Sequence, residues 1–441
     1  MAIIRPFRGL RYNPARVGDL SNVITQPYDR IGKVEQTAYY QQHPCNFVRI
    51  DYGASDPDTD TPTDNVYTRA RDYADTWLSK GVLQREARPS LYVLEQTFST
   101  SDGQTHTRRG FTAALRLTRF EEGTVLPHEY TFSGPKTDRL NLTRATQTAW
   151  GHIFILYPDA ENRVNALLQP HLQHMTPLTL RELVIEPAVE QRFWVLDDPA
   201  LLDAVAEEMA PKRNLVIADG HHRYETALNY EAEMNAQHPD APADAAFHYA
   251  LATFVSMSDP GLLILPTHRL IRGASIQGAE LLNALRAYFD VQPLSTRAEM
   301  EQALCEGNAK QARFGFYDGR YAVLTLRDSE VMMRLAPEHA AAWRALDVAV
   351  LHKLVLEHTL GLSTGSGHDA DTIRYLRDVN AGYAAVERGE ADSLFVLNPT
   401  RMAQVNACTQ AGEKMPQKST DFYPKMVSGL VALPLSGALG D

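Results

Sequence analysis

Cysteine is scarce. Cys45, Cys305 and Cys408 are the three thiols in 441 residues, far apart and outside any CxxC pattern. That argues against a disulfide framework or a zinc knuckle and for a reducing compartment, with the cytoplasm as the expected one. No run approaches the roughly 20 apolar residues needed to span a bilayer. The opening Met1-Ala2-Ile3-Ile4-Arg5-Pro6-Phe7 lacks the apolar stretch and small-residue cleavage site of a secretory signal. Basic blocks are missing too. The 54 acidic side chains outnumber the 43 basic ones, giving a net charge of −11. Nonspecific nucleic-acid binding draws on clustered Lys and Arg, so this balance disfavours it. It leaves a small phosphorylated ligand open.

What is present is ordinary for a globular chain: 44% hydrophobic and 22% charged residues. The length calls for two or three structural units. Helical spacing is expected at Gln36–Gln42, Val66–Lys80, Asn162–His174, Pro199–Met209, Gly278–Phe289, Arg297–Cys305 and Leu346–Leu360. Strands are expected at Cys45–Ile50, Ser90–Ser99, Thr105–Thr118, Ile153–Leu156, Glu190–Leu196, Tyr249–Ser256, Leu262–Arg269 and Leu394–Leu397. Ser101-Asp102-Gly103 and Asp318-Gly319 read as hairpin turns. Interspersed strands and helices with several hairpins place the chain in the α/β class, mixed α+β, with a mixed sheet. Two domains are expected, 1–270 and 271–441, the tail of the second returning to the site of the first.

The strongest local signal is Leu215-Val216-Ile217-Ala218-Asp219-Gly220-His221-His222-Arg223. An apolar strand stops at a Gly turn, and a helix running to about Ala236 follows. Such a junction presents N–H groups to an anion. Gly220 lets a backbone approach closely, and Arg223 brings a planar fork for phosphate oxygens. A histidine can hydrogen-bond the same anion, and Asp219 can hold a metal or take a proton from a hydroxyl. A solvent-facing helix cap would need only one Ser or Asp.

Two further stretches offer charge. Val125–Leu140 reads as one Pro- and Gly-containing loop gathering His128, Glu129, Lys136, Asp138 and Arg139. Lys136 and Arg139 suit phosphate, and Glu129 suits a general base. Which carboxylate acts as base, Glu129, Asp138 or Asp219, stays open. The tail Lys418–Lys425, bracketed by Pro416 and Pro424, supplies Lys418, Ser419, Thr420 and Lys425 as donors. His268 closes a buried-type strand. Arg49, in the Cys45–Ile50 strand, needs a carboxylate if it points inward. Ser363-Thr364-Gly365-Ser366-Gly367-His368 lacks the phosphate-loop pattern and reads as a plain loop.

The Ala-Asp-Gly-His-His-Arg signature identifies the chain as resembling the DUF1015 family. The likeness extends to Arg5–Tyr12, Pro27-Tyr28-Asp29, Asn46–Arg49, His128-Glu129 with Pro135–Arg139, and Lys418–Lys425. The motif is also similar to that of the ParB/sulfiredoxin superfamily, whose Gly-x-x-Arg core binds nucleotide phosphates. That superfamily includes free-serine kinases, CTP-hydrolysing partition switches and sulfiredoxin. Sulfiredoxin's nucleophilic Cys has no counterpart beside Gly220, and the partition proteins' helix-turn-helix and basic surface are not evident. The resemblance therefore implies a ParB/sulfiredoxin-like nucleotide-phosphate site in residues 1–270. The implied activity is a phosphotransferase using ATP or ADP, with Mg2+, on a small hydroxyl metabolite such as serine. In it Glu129, Asp219 and His221 are catalytic. Gly220, His222, Arg223, Lys136, Arg139, Lys418, Ser419, Thr420 and Lys425 hold the nucleotide. Asn46, Arg49, His128, Asp138 and His268 hold the substrate, and no metal is bound by protein ligands alone. The alternatives are a nucleotide-binding switch with slow hydrolysis and a phosphatase of a phosphoserine-like compound. Expected partners are a small molecule and a nucleotide, without nucleic acid or membrane.

Overall fold

The computed structural model describes all residues except 57, 101, 131–132, 307–310, 365–371 and 441, and does not describe the side chain of Ser133. Ser101 of the first hairpin turn, residues 131–132 of the His128 stretch and the Gly365–His368 part of the Ser/Gly loop thus lie outside the described residues. The chain divides into two compact units. The first comprises Met1–Pro127, Thr131–Leu263 and Pro424–Asp441; the second comprises His128–Tyr130 and Ile264–Tyr423. Among the described residues, no helix is long and apolar enough to cross a membrane.

The first unit is built on a mixed nine-stranded sheet. Its strands are β1 (Ile4–Arg5), β2 (Leu91–Ser99), β3 (Thr105–Arg116), β4 (Val125–Pro127), β5 (Ile153–Tyr157), β6 (Leu178–Arg181), β7 (Glu190–Leu196), β8 (Leu215–Asp219) and β9 (Tyr249–Ser256). They lie in the order β4-β8-β5-β9-β3-β2-β7-β6, with β1 on β3. The pairs β4·β8 and β5·β9 are parallel and the others antiparallel. β5 and β9 are buried along their whole length, which explains their unbroken apolar sequences: a strand covered on both faces has no polar side to alternate with.

Helices pack on the sheet. Val164 and Leu168 of helix Arg163–Gln173 and Leu202, Val205 and Met209 of helix Pro199–Met209 share a core with Phe111, Ile153, Ile155 and Phe254. Asp198 caps the second of these by accepting from the Ala200 and Leu201 N–H groups, with Pro199 preset for the first turn. Another cluster gathers Phe47, Trp77, Leu142 and Trp150 around helices Val66–Ser79 and Ser133–Thr146.

Two local expectations fail. Cys45–Ile50 is not a strand: one helical turn, Val48–Asp51, takes its place. Asn46 Oδ1 accepts from the Val48 N–H at 3.0 Å while its Nδ2 donates to Asn22 O at 2.9 Å, so a side chain competes with the strand ladder and wins. Nor is Val125–Leu140 one loop. Helix Ser133–Thr146 begins inside it, because a proline in the first turn removes an N–H that has no intrahelical partner there.

The second unit holds a six-stranded antiparallel sheet, in which Ser393–Leu397 pairs with Arg313–Tyr317 and with His268–Ile271. The Asp318-Gly319 turn joins Arg313–Tyr317 to Tyr321–Leu326 as a hairpin. The expected strand Leu262–Arg269 is split into Leu263–Leu265 and His268–Ile271, with Pro266 between them. The helix expected at Leu346–Leu360 forms as Asp347–Val350 continued by a π-helical segment, Leu351–Thr359.

Candidate functional site

In the first unit β8 leads into the helix His221–Gln237, which we label α1. The ladder between β8 and β5 slips just before the turn: Ile217 faces Ile155, and Asp219 faces Phe154. The extra residue, Ala218, makes a bulge that re-aims Asp219. Gly220 follows in the left-handed region, φ +89°. A Cβ there would sit 3.0 Å from Arg223 Nε, so glycine is required both for the turn and for the guanidinium folded against it. Gly220 has no side chain to cap α1, and the first N–H groups of a helix have no intrahelical acceptor.

Arg223 is held from both sides. It pairs with Asp219 Oδ2 and donates to the His152 carbonyl. Asp219 Oδ1 receives Lys425 Nζ at 2.9 Å. Lys425 is itself fixed by its backbone, since Gln96 Nε2 donates to its carbonyl at 3.0 Å and Arg108 donates to that of Pro424. Burial would raise the Asp219 carboxyl, but Lys425 and Arg223 outweigh it and hold the group well below the usual carboxylate range. A carboxylate so held is a poor proton acceptor. Burial works against the Arg223 charge as well, yet Asp219, Asp29, Tyr28 and Asp51 stabilise it.

Helix Ser133–Thr146 packs beside α1 and delivers two more cations. Lys136 Nζ lies 2.7 Å from Glu225 Oε2 of α1. Arg139, three residues on and so on the same face, is buried. Its Nη1 donates to Asp51 Oδ1 at 2.9 Å, its Nη2 lies 2.6 Å from Asp138 Oδ2, and its guanidinium stacks 4.1 Å from the Tyr28 ring centre. Asp138 also accepts from the Tyr67 hydroxyl at 2.9 Å. His221 is buried and His222 half-buried. Burial lowers the His222 ring, against Glu225 and Asp29, which raise it. His152 is pushed down to about 3 by burial and by Arg223.

Three groups that act on the Arg223 charge were not among the sequence candidates. Tyr28 and Asp29 stand in the Pro27-Tyr28-Asp29 turn, which is visible in the sequence, but nothing there aims it at Arg223. Tyr28 is pushed up to about 12, by burial first. Asp29 is exposed, and its charge acts on His222 and Arg223. Asp51 is 2% exposed, and reading its segment as a strand hid it. Burial raises its carboxyl, against the pull of Arg139 and Arg223.

Other candidates serve the protein itself. Asn46 is a buried capping residue, and Arg49 Nη2 donates to Tyr40 O at 3.1 Å while stacking 4.3 Å from the Tyr40 ring centre. His128, Glu129, His268, Lys418, Ser419 and Thr420 belong to the second unit. There His128 Nε2 lies 2.6 Å from Thr420 Oγ1, which also donates to Glu129 Oε1 at 3.4 Å. Lys418 is exposed with φ +55°, and its carbonyl accepts from buried Arg269 at 3.0 Å. Ser419 donates to the Pro416 carbonyl. His268 Nδ1 accepts the Leu397 N–H at 3.2 Å, and burial lowers its ring to about 4. Among the described residues, no group of three or more His, Cys, Asp or Glu side chains could hold a metal ion.

Sheet, turn and helix together define an α/β protein with a polar site at a strand-to-helix junction. The chain belongs to the DUF1015 family, described as proteins of unknown function, whose model matches residues 4–349. No curated protein matches it by sequence. Among solved structures it is similar to a conserved hypothetical protein from Pyrococcus furiosus, at 13% identity and a TM-score of 0.33 over 69% of this chain and 91% of that one. It is also similar to a free serine kinase in complex with AMP, at 12% identity and a TM-score of 0.34 over 68% and 83%. A third is SbnI with C-terminal truncation from Staphylococcus aureus, at 10% identity and a TM-score of 0.33 over 72% and 84%. No property is carried over from likenesses of this degree.

Proposed function

We propose that the protein is a nucleotide-dependent phosphotransferase, using ATP or ADP with Mg2+ to phosphorylate a small hydroxyl metabolite, serine or a serine-like amino acid first. The observation that carries this reading is the left-handed Gly220 between β8 and α1, with Arg223 folded beneath it. A helix N-terminus beside a guanidinium is an anion site by dipole and by charge. His222 and Lys136 flank it on the neighbouring turns. Phosphoryl transfer asks mostly for positioning and electrostatics, which such a cradle supplies.

The base is better sought in Asp29 than in Asp219. Asp219 has one oxygen on Lys425 and the other on Arg223, and Asp138 holds Arg139 and Tyr67. Asp29 is an exposed carboxylate whose charge reaches His222 and Arg223. Glu129 remains the candidate that the sequence of its own stretch suggests. The metal would arrive with the nucleotide, on phosphate oxygens, as is usual for Mg2+.

One observation favours a second reading. Four cations at or beside the turn are already paired with carboxylates: Arg223 and Lys425 with Asp219, Arg139 with Asp51 and Asp138, Lys136 with Glu225. A phosphate would re-pair them, as in a nucleotide-responsive switch with slow turnover. Phosphorus NMR of the protein with ATP or ADP, Mg2+ and a panel of amino acids and alcohols separates the two. The kinase reading expects a new phosphomonoester signal that Asp29→Asn abolishes. Nucleotide binding without product in any mixture would leave the switch. A product signal unchanged in Arg223→Ala would remove this turn from either.

A further inference from the structure

Behind Arg223 the first unit encloses a cavity of about 60 Å3, several times the ~10–15 Å3 that one water needs. Its walls have two characters. Asp51, Arg139 and Arg223 line one part; Leu142, Trp150, Ala227, Phe247 and Leu251 are among the apolar side chains lining the rest. Tyr230, Phe247 and Leu435 also border an open groove, so the cavity and the groove are neighbours.

Asp51 is the informative wall. Its Oδ1 takes Arg139, but its Oδ2 is buried with no hydrogen-bond partner. A buried carboxylate oxygen left unpaired is costly, and such atoms in native structures call for a missing water or ligand. The charged walls are Asp51, Arg139 and Arg223, and with their ion-pair partners Asp138, Asp219 and Lys425 they balance at three negative groups to three positive. The unmet need is a hydrogen-bond donor to Asp51 Oδ2.

We infer that this cavity binds a small organic ammonium group on Asp51 Oδ2, with a short aliphatic body against Trp150, Ala227 and Leu251. An ammonium carries three donors, and its bond to a carboxylate is charge-assisted, stronger than the one a neutral alcohol could give; a ligand carboxylate would set a second negative charge against Asp51. The site shares Arg223 with the anion cradle at Gly220 but does not need the phosphoryl-transfer reading.

Saturation-transfer NMR without nucleotide tests it, using propylammonium as probe and propan-1-ol and propionate as isosteres. Wild-type protein is expected to bind propylammonium at least tenfold more tightly than either isostere. Asp51→Asn is expected to lose that preference. Because it could also unsettle Arg139, the deciding variant is Ala227→Leu, which fills the cavity while leaving the Asp51–Arg139 pair in place. It should weaken propylammonium at least tenfold with an unchanged circular dichroism spectrum. Equal binding of propan-1-ol, undiminished binding to folded Ala227→Leu, or no binding to wild type would each overturn the inference. A failure to phosphorylate anything would leave it standing.

Discussion

Asp219→Asn isolates the electrostatic centre of the site. Its carboxylate sits between Lys425 and Arg223, the three side chains being 18%, 14% and 9% exposed. Removing one partner of a buried ion pair typically costs about 3–5 kcal/mol, because the other charge is stranded. Asparagine keeps the shape and one acceptor, and the partial exposure of the group lets water help. We therefore expect a loss of about 3 kcal/mol, or roughly 6–10 °C in Tm for a unit of this size. Of the four tryptophans, Trp343 alone lies in the second unit, so fluorescence in a Trp343→Phe background reports the first. The pH dependence gives a second reading. The folded carboxyl is held below its unfolded value of about 3.9. Its contribution is therefore complete above that pH and is lost as pH falls towards the folded value. The gap between wild type and Asp219→Asn should be constant from pH 7 to about pH 5 and narrow below about pH 4. A loss under 1 kcal/mol at pH 7, or a gap that widens in acid, would refute the account of Asp219 as a clamped anion.

Gly220→Ala should cost about 1–2 kcal/mol, since its φ of +89° is one that L-residues reach only with strain. Thermal melting checks it, and displacement of the Arg223 guanidinium should weaken nucleotide binding in calorimetry. Lys136 is 29% and Glu225 19% exposed, so Lys136→Ala should change stability by no more than about 1 kcal/mol. Any larger effect on ATP affinity would then report a ligand contact. Burial and Arg223 hold the folded His152 ring at about 3, against about 6.5 unfolded. Below pH 6.5 the unfolded chain takes up this proton first, so stability falls between about pH 6.5 and 3. His152→Gln should flatten that part of an acid-stability curve measured by urea denaturation.

How far the sequence could be read depended on whether a residue's role was local. The β8–Gly220–α1 junction was legible because strand, glycine and helix are contiguous and each obeys its own local rule. Lys136 and Arg139 were legible as cations but not as neighbours on one helix face. Gly134-Pro135 looked like a loop, whereas proline is tolerated in a first helical turn. Asp51 was illegible. Val48–Ile50 carries strand-forming residues, and the deciding interaction is Asn46 capping Val48 with help from Asn22. The partners Asp219 of Arg223 and Asp138 of Arg139 are local, but Asp51, the buried partner of Arg139, comes from a distant segment, and no spacing in the chain encodes that pairing. The tail also divides: Lys425 reaches Asp219, while Lys418, Ser419 and Thr420 belong to the second unit.

The pairing of these cations also sets how a phosphate could bind. At an effective dielectric of about 20, a charge 4 Å away contributes about 4 kcal/mol. A phosphate oxygen gains that from Arg223 and loses a similar amount to Asp219 beside it. The helix N-terminus adds about 0.3–1 kcal/mol, up to about 2 in partly buried sites, too little alone for tight binding. The remainder must come from a cation brought with the phosphates or from Asp219 turning wholly to Lys425. The first route predicts that ATP affinity, measured by calorimetry, falls at least tenfold when Mg2+ is removed with EDTA. The second predicts affinity indifferent to Mg2+ but lost in Lys425→Ala, because Asp219 then keeps Arg223. Equal affinity in all three conditions would mean that the nucleotide does not use Arg223, and the anion site would have to be sought elsewhere.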